Sequence, residues 1–556
     1  MARFNTRSTR PAVHSPVTTT GERALTHEGA TGHLRDAKSE LFLLAVSNFV
    51  GQDAFYEKGG QRDDRYTQLV RQLAVEDPGW TFEFLGWLRG EGNMRTASLV
   101  GAAEFVKARL DAEAVGDLSQ NVHVTNALGG WNRQVIDAVL QRADEPGEML
   151  GYWTSKYGRK LPKPVKRGIA DAVQRLYTER ALLKYDTDSK GYRFGDVLNL
   201  VHAAPDPGKA WQGFLFQHAL DRRHGNDDEI PEALHTLHAR DALMKMPADG
   251  RRAALGDPNV TDQFADAGMT WEALAGWLQG PMDKAAWEAI IPSMGLMALA
   301  RNLRNFDQAE VSDAVAARIC ERFADPEQVA KSRMFPFRWW AAYKHAPSLR
   351  WGHALEQALN HSLVNVPRLK GSTLILVDRS PSMFPGYFFS TQNSSDITLA
   401  EQAAVFGSAL ALRAEKPTLV EFGGGSKKLD VTKGGSILKH IEKFGMIDGT
   451  DIPSAVKAHW FAHDRIVIVT DEQTRPGWLP SNYFGHGGMR ETMIDDLVPK
   501  NTPVYMWNIA GYRAGAMPSD STGRHCFGGL TDAAFRMVPL LEAGRDATWP
   551  WLSKTA

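Results

Sequence analysis

The chain has 556 residues, 43% of them hydrophobic and 23% charged, the balance of a folded globular protein and not of a disordered or fibrous one. Its length exceeds the usual size of one domain several-fold, so at least two hydrophobic cores are expected. With 64 Lys and Arg against 65 Asp and Glu, net charge points to no polyanionic partner, and a surface for one has to come from local clustering.

The N-terminus carries Arg3, Arg7 and Arg10 without an apolar stretch behind them, so no secretory signal is expected; residues 1–20, rich in Thr, Ser, Pro and Arg, read as a flexible arm. The apolar run Leu41–Val50 is half of what a bilayer span needs. Two cysteines far apart, Cys320 and Cys526, match no metal spacing and suit a reducing compartment, so a cytoplasmic location is expected.

From about Leu34 to about Leu363 apolar residues recur at helical spacing, as in Phe82, Leu85 and Leu88 or Val135, Val139 and Leu140. The breaks are short and rich in Pro, Gly, Asp and Asn, at Glu76–Gly79, Ala203–Gly208 and Gly256–Asn259. Residues 21–365 therefore read as one helical domain, either a HEAT-like α-solenoid of about eight helix pairs or a large irregular bundle. At Gly371 the pattern changes. Strand-like Ser372–Val377, Thr418–Gly423, Arg465–Thr470 and Pro503–Ile509 alternate with helical Ile397–Arg413, Ser436–Phe444 and a helix after Asp451. That alternation predicts a doubly wound, Rossmann-like α/β domain over residues 366–556.

The first of these strands ends in D-x-S-x-S: Asp378, Ser380 and Ser382. A carboxylate and two hydroxyls at the C-terminal end of a central strand sit where open α/β sheets bind ligands, and an all-oxygen set suits Mg²⁺ better than zinc. Thr450, after the Asp448-Gly449 turn, and Asp471, at the end of a later strand, could complete the set; turn and cap chemistry is the plainer reading of any one of them. Together the three loops resemble the metal-ion-dependent adhesion site (MIDAS) of von Willebrand factor A domains. The resemblance implies Asp378, Ser380, Ser382, Thr450 and Asp471 as ligands of a divalent cation, with an open position that takes a partner's acidic group. Asp451 and Glu472, beside the implied ligands, read as cap or solvated side chains.

Residues 1–370 are charge-neutral, with 46 basic and 46 acidic side chains, but Lys156–Lys184 holds nine basic residues against Asp171 and Glu179, with Tyr152, Trp153 and Tyr157 alongside. Such a stripe can neutralise phosphates while rings stack on unpaired bases; a solvated helix face is the alternative. A second run has Lys331, Arg333, Arg338 and Lys344, and its Trp339 and Trp340 read as core.

The segments Gly191–Pro205, Gly295–Phe306 and Ser332–Lys344 resemble the TROVE module of the Ro RNA-binding autoantigen family, in which a ring of helical repeats is closed by a von Willebrand factor A domain. The resemblance implies a ribonucleoprotein without catalytic activity. Its outer basic surface would bind small structured Y-like RNA, and its central hole would take single-stranded 3′ ends of misfolded or precursor RNAs. It also implies a place in RNA quality control or ribosomal RNA maturation, as a scaffold for an exoribonuclease. By position it implies Lys163, Lys166, Arg167, His202, Arg301 and Asn302 as RNA contacts. His202 as a satisfied buried histidine, and Arg301 with Asn302 as helix packing, remain open. No P-loop, nucleophile elbow or paired-carboxylate constellation is present; Gly423–Lys428 lacks P-loop spacing and reads as a flexible turn. The competing function is a metal-dependent protein-interaction scaffold without RNA.

Overall fold

The computed structural model describes residues 13–47, 50–114, 122–226, 229–346, 348–364, 366–384, 398–480, 489–519, 523–531, 535 and 537–552. Between Ala37 and His361 the described residues form twenty α-helices with two short 3₁₀ segments and no strand. The first ten are α1 (Ala37–Ser47), α2 (Gly59–Glu76), α3 (Pro78–Gly90), α4 (Arg95–Ala114), α5 (Val122–Val139), α6 (Glu145–Tyr157), α7 (Lys163–Leu176), α8 (Glu179–Tyr185), α9 (Phe194–Val201) and α10 (Ala210–His224). Several helices span only 7 or 8 residues. Single residues set their ends: Pro247 precedes Ala248–Ala254, Asp325 is the N-cap of Pro326–Ser332, and His202 ends α9 in the left-handed conformation. Each helix packs against near neighbours in the chain, α2 on α4, α5 on α7 and α9 on α10, which is the local connectivity of a repeat array.

The C-terminal module is a six-stranded sheet. Its strands are β3 (Leu369–Asp378), β4 (Ala414–Phe422), β5 (Ser426–Leu429), β6 (Arg465–Thr470), β9 (Val504–Asn508) and β11 (Arg524–Gly528), in the spatial order β11-β9-β6-β3-β4-β5. A minor pair, β7 (Gly477–Pro480) with β8 (Met489–Thr492), lies apart. All pairings in the main sheet are parallel except β4 with β5. Central β3 is buried from Thr373 to Asp378 and β6 along its whole length, as befits strands covered on both faces. Helices Leu399–Arg413 and Ile452–His459 pack on the sheet, so the predicted doubly wound core is found. Gly423–Lys428 is not a free turn: it leads into antiparallel β5.

The N-terminal segment differs from the expected arm. From Val13 onward it lies on the C-terminal module: Ser519 Oγ donates to the Val17 carbonyl at 2.6 Å, and the Ala547 amide donates to the His14 carbonyl at 3.0 Å. Val17 is fully buried. β1 (Thr19–Leu25) and β2 (Thr31–Arg35) form a hairpin, and β2 pairs with β10 (Ala514–Gly515), Leu34 lying opposite Ala514. Residues 13–35 thus pack with the α/β module as well as with the start of α1, where Ser39 Oγ accepts from the Thr18 amide at 2.8 Å; residues 1–12 lie outside the described residues.

The helical array also meets that module at both of its ends. At the start, α1 packs on β11, and Arg65 donates to the Gly511 carbonyl at 2.9 Å. Trp549 and Trp551, stacked on each other, pack with Phe42, Trp80, Phe84 and Trp87 at ring separations of 5.2 to 6.2 Å. At the far end, Lys344 pairs with Glu401 at 2.7 Å, and Glu356 accepts from the Ile437 amide at 2.9 Å. Within the array Arg333 reaches back to the Gln141 side chain, 192 residues earlier.

Candidate functional site

The proposed cation ligands converge at the C-terminal edge of the sheet. β3 ends in Asp378, β6 runs into Asp471, and the β5–β6 connection brings in Thr450; the five side chains of Asp378, Ser380, Ser382, Thr450 and Asp471 are 0–1% exposed. The D-x-S-x-S turn is tight: the Ser380 amide donates to Asp378 Oδ1 at 2.9 Å, and Ser380 Oγ lies 3.1 Å from Ser382 Oγ. Thr470 Oγ1 donates to Asp378 Oδ2 at 2.5 Å. Asp471 Oδ1 accepts from the Gln473 amide at 3.0 Å, whereas the buried Asp471 Oδ2 has no hydrogen-bond partner.

Between Asp378 and Ser380 lies Arg379. It is 5% exposed, donates through Nε to the Gly445 carbonyl at 2.5 Å, and lies over the rings of Phe384 and Phe444. It braces the loop from behind. The glycines of Gly423–Gly425 serve the same packing, since a Cβ at Gly423 would stand 2.5 Å from the Ile447 carbonyl and one at Gly424 2.5 Å from that of Asp448.

Burial pushes the Asp378 carboxyl up to about 6, and burial together with the neighbouring Asp378 charge pushes Asp471 well above the usual carboxylate range. Two desolvated carboxylates facing each other, one with an orphaned oxygen, form a site short of a positive charge. Among the described residues no group of three or more His, Cys, Asp or Glu side chains collects, so a cation here would rely on two carboxylates and three hydroxyls. That hard-oxygen set fits Mg²⁺.

Of the two flanking acids, Asp451 is the N-cap of Ile452–His459, accepting from the Ser454 amide at 2.9 Å. Glu472 is not solvated. It is fully buried, pairs with Arg35 of β2 at 2.6 Å and accepts from Asn508 Nδ2 at 2.8 Å. Its φ of 64° places it in the left-handed region, a strain that the buried pair holds in place.

The basic stripe spans the end of α6, all of α7 and α8. Lys156 pairs with the buried Glu104 at 2.8 Å, and Arg175 with Asp137 at 2.7 Å. Tyr152 and Tyr157 also donate to Glu104, each at 2.6 Å, so these two phenols are tied to a carboxylate. The stripe's own acids are engaged elsewhere, Asp171 with Arg133 and Glu179 with the Leu237 amide. Arg159, Lys160, Lys163, Lys166 and Arg167 pair with no carboxylate among the described residues, and all but partly buried Lys166 are exposed. Lys163 opens α7, whose N-cap Pro162 offers no side-chain cap, so the helix start adds its own positive end.

His202 is exposed, which removes the buried-histidine alternative. It lies toward the far end of α7, where Gln174 donates to the Ala204 carbonyl at 2.7 Å, about 16 Å along the helix from Lys163 at 1.5 Å per residue. Arg301 is exposed on helix Leu296–Gln308. Asn302 is not at the surface: 4% exposed, it donates to the Ala298 carbonyl and accepts from Asn305, both at 2.8 Å, so it serves helix packing. Trp339 and Trp340 are core residues, as expected.

The described residues thus set a long helical array against a doubly wound module at both of its ends, with the D-x-S-x-S, Thr and Asp cluster at the sheet edge. The TROVE domain family matches residues 267–348, which include the Gly295–Phe306 and Ser332–Lys344 segments. The crystal structure of the Deinococcus radiodurans Ro (RSR) protein superposes with a TM-score of 0.58 at 17% identity, covering 90% of this chain and 99% of that one. The fold is that of a bacterial Ro protein. No curated protein matches the sequence.

Proposed function

We propose that the protein binds RNA without catalysing a reaction on it, through the cationic start of α7. The observation that carries this reading is the group of five unpaired cations, Arg159, Lys160, Lys163, Lys166 and Arg167, on a chain of nearly zero net charge. Cations left without internal partners can release counterions from a phosphate backbone when they bind it. The TROVE match and the Ro fold support small structured non-coding RNA, Y-like in character, as the ligand of this surface. In the same reading, single-stranded 3′ ends of misfolded or precursor RNAs are held within the helical array, His202 and Arg301 contribute contacts, and an exoribonuclease is the partner that acts on the held strand. The protein then works in the cytoplasm in RNA quality control or ribosomal RNA maturation.

The α/β module contributes a divalent cation site, Mg²⁺ held by Asp378, Ser380, Ser382, Thr450 and Asp471; the orphaned Asp471 Oδ2 supports it. That atom also favours a second reading, a scaffold that grips a partner's carboxylate through the ion. Binding of a structured RNA with a single-stranded tail, measured by filter retention, separates the two. Replacing Lys163, Lys166 and Arg167 by Glu weakens retention if the first holds and leaves it unchanged if only the scaffold does. Asp378→Ala removes cation binding and spares RNA binding.

A further inference from the structure

The segment that leaves the helical array, after helix Gly352–His361 and before β3, forms one wall of a cleft of about 850 Å³. Val364, Val366, Pro367 and Arg368 supply that wall. Leu412, Arg413 and Ala414, at the turn into β4, supply the second, and Lys433 and Pro539 close it. Leu369 and Ala414 lie opposite each other in the parallel pair of β3 with β4, so the cleft opens at the amino-terminal edge of the sheet. Asp378 stands at the other end of β3, about 30 Å away at 3.3 Å per residue, which makes this cleft separate from the cation site.

The volume is that of a small-molecule site, and the charge is one-sided: three cations line it, Arg368, Arg413 and Lys433, and no carboxylate does. Arg413 donates to the Val364 carbonyl at 3.1 Å and to that of Val366, and so holds the connecting segment on the module. Arg368 and Lys433 are exposed and pair with no carboxylate among the described residues. The acids of the same edge are engaged by backbone, Glu415 accepting from the Gly371 amide at 2.8 Å and Asp464 from the Ser372 amide at 2.7 Å. The rest of the lining is aliphatic, and Val364 is 70% exposed, an apolar side chain left in water beside unpaired charge.

An anion that carries an apolar ring answers both features. A guanidinium binds phosphate as a fork and an ammonium binds it as a point charge, while aliphatic side chains cover the face of a ring. We propose that the cleft binds a nucleotide, its phosphate on Arg368 and Lys433 and its ring against Val364 and Leu412. A free nucleoside phosphate and the 5′-phosphorylated end of an RNA strand present this same chemistry. The site is independent of both the α7 surface and the cation cluster. Arg368 belongs to the connecting segment and Lys433 to the loop before helix Ile437–Ile441, so the bound phosphate ties the exit of the helical array to the α/β module.

The test titrates the full-length protein calorimetrically, in metal-free buffer, with ADP and with a 5′-phosphorylated hexanucleotide, and follows amide hydrogen exchange of residues 366–370 and 431–435 with and without each. The nucleotide slows exchange at both segments. Arg368→Gln combined with Lys433→Gln weakens ADP binding about tenfold or more, whereas replacing Lys163, Lys166 and Arg167 by Glu leaves it unchanged. Val364→Glu sets a negative charge on an exposed position of the wall and has the same effect with every cation in place, so it decides the matter if the double variant does not fold. A hexanucleotide that displaces ADP, or that protects both segments where ADP does not bind, identifies the strand end as the ligand; one that does neither identifies the free nucleotide. The proposal is overturned if the unaltered protein binds neither probe, if binding protects neither segment, or if affinity is undiminished in the folded variants.

Discussion

Neutralising three cations at the start of α7 gives the sharpest test of RNA binding, because their number sets the size of the effect. Seven of the nine basic side chains between Lys156 and Lys184 have no carboxylate partner, and five of these, Arg159, Lys160, Lys163, Lys166 and Arg167, cluster at the start of α7, where they are available to phosphates. At about 0.7 counterions released per phosphate on a single strand, five contacts give a slope of about −3.5 in log affinity against log salt. Raising salt fourfold, from about 50 to about 200 mM, then weakens binding roughly 100-fold. Replacing Lys163, Lys166 and Arg167 by Gln leaves two contacts and a slope of about −1.4, so the same change of salt costs only about sevenfold. Fluorescence anisotropy with a tailed RNA at four salt concentrations measures both slopes. Lys163 and Arg167 are exposed and Lys166 partly so, and the melting temperature should stay within a degree or two. An unchanged slope in a folded variant refutes the assignment of this surface, whatever the affinity itself does.

Arg35→Ala strands the buried Glu472 charge and should lower stability by about 3–5 kcal/mol in chemical denaturation, with partial recovery when Glu472→Gln is added; a loss under 1 kcal/mol contradicts the buried pair. Trp551→Ala empties the aromatic cluster between the C-terminal segment and α1 and α3, and a cost of about 3–5 kcal/mol is expected; a near-neutral result means that the segment is not docked there. In metal-free protein the folded-state value of Asp378, about 6, lies above its ordinary 3.8, so the folded form holds a proton that the unfolded chain gives up. Stability therefore rises as pH falls through about 6 and levels off near 4, a contribution of about 3 kcal/mol. The gap between the unaltered protein and Asp378→Asn, followed by thermal melts from pH 8 to pH 4, reads it together with the neighbouring Asp471 carboxyl; a gap that widens toward acid pH is the wrong sign.

The sheet and the candidate metal site were legible because their signals are local. A run such as Ser372–Val377, buried on both faces, must be apolar throughout, and the Asp, Ser and Thr residues at strand ends mark positions along the chain. The β1–β2 hairpin was illegible for the opposite reason. Its first strand, TTGERAL, is largely polar and exposed, and the further sheet partner of its second strand lies far along the chain at Ala514–Gly515. Glu472 looked solvated because nothing nearby in sequence announces Arg35. The sequence leaves Asn302 open between RNA contact and helix packing because a single position on an amphipathic helix turns inward or outward by one residue of phase; its partners, Ala298 and Asn305, sit at helical spacing and mark the packed side. The length of the helical array was legible, whereas its many one- and two-turn helices were not, since their ends are set by single residues such as His202.

The hairpin's pairing with β10 joins residues 480 positions apart, Leu34 with Ala514. During synthesis at about 5–20 residues per second, its partner strand leaves the ribosome some 25 to 100 s after it does. Throughout that interval the growing polypeptide carries an unsatisfied β-edge at its front, and α1 waits beside it without the sheet that buries its face. Completion of the molecule is thus a late, long-range event, one that a nascent chain reaches only once nearly all of it has been translated.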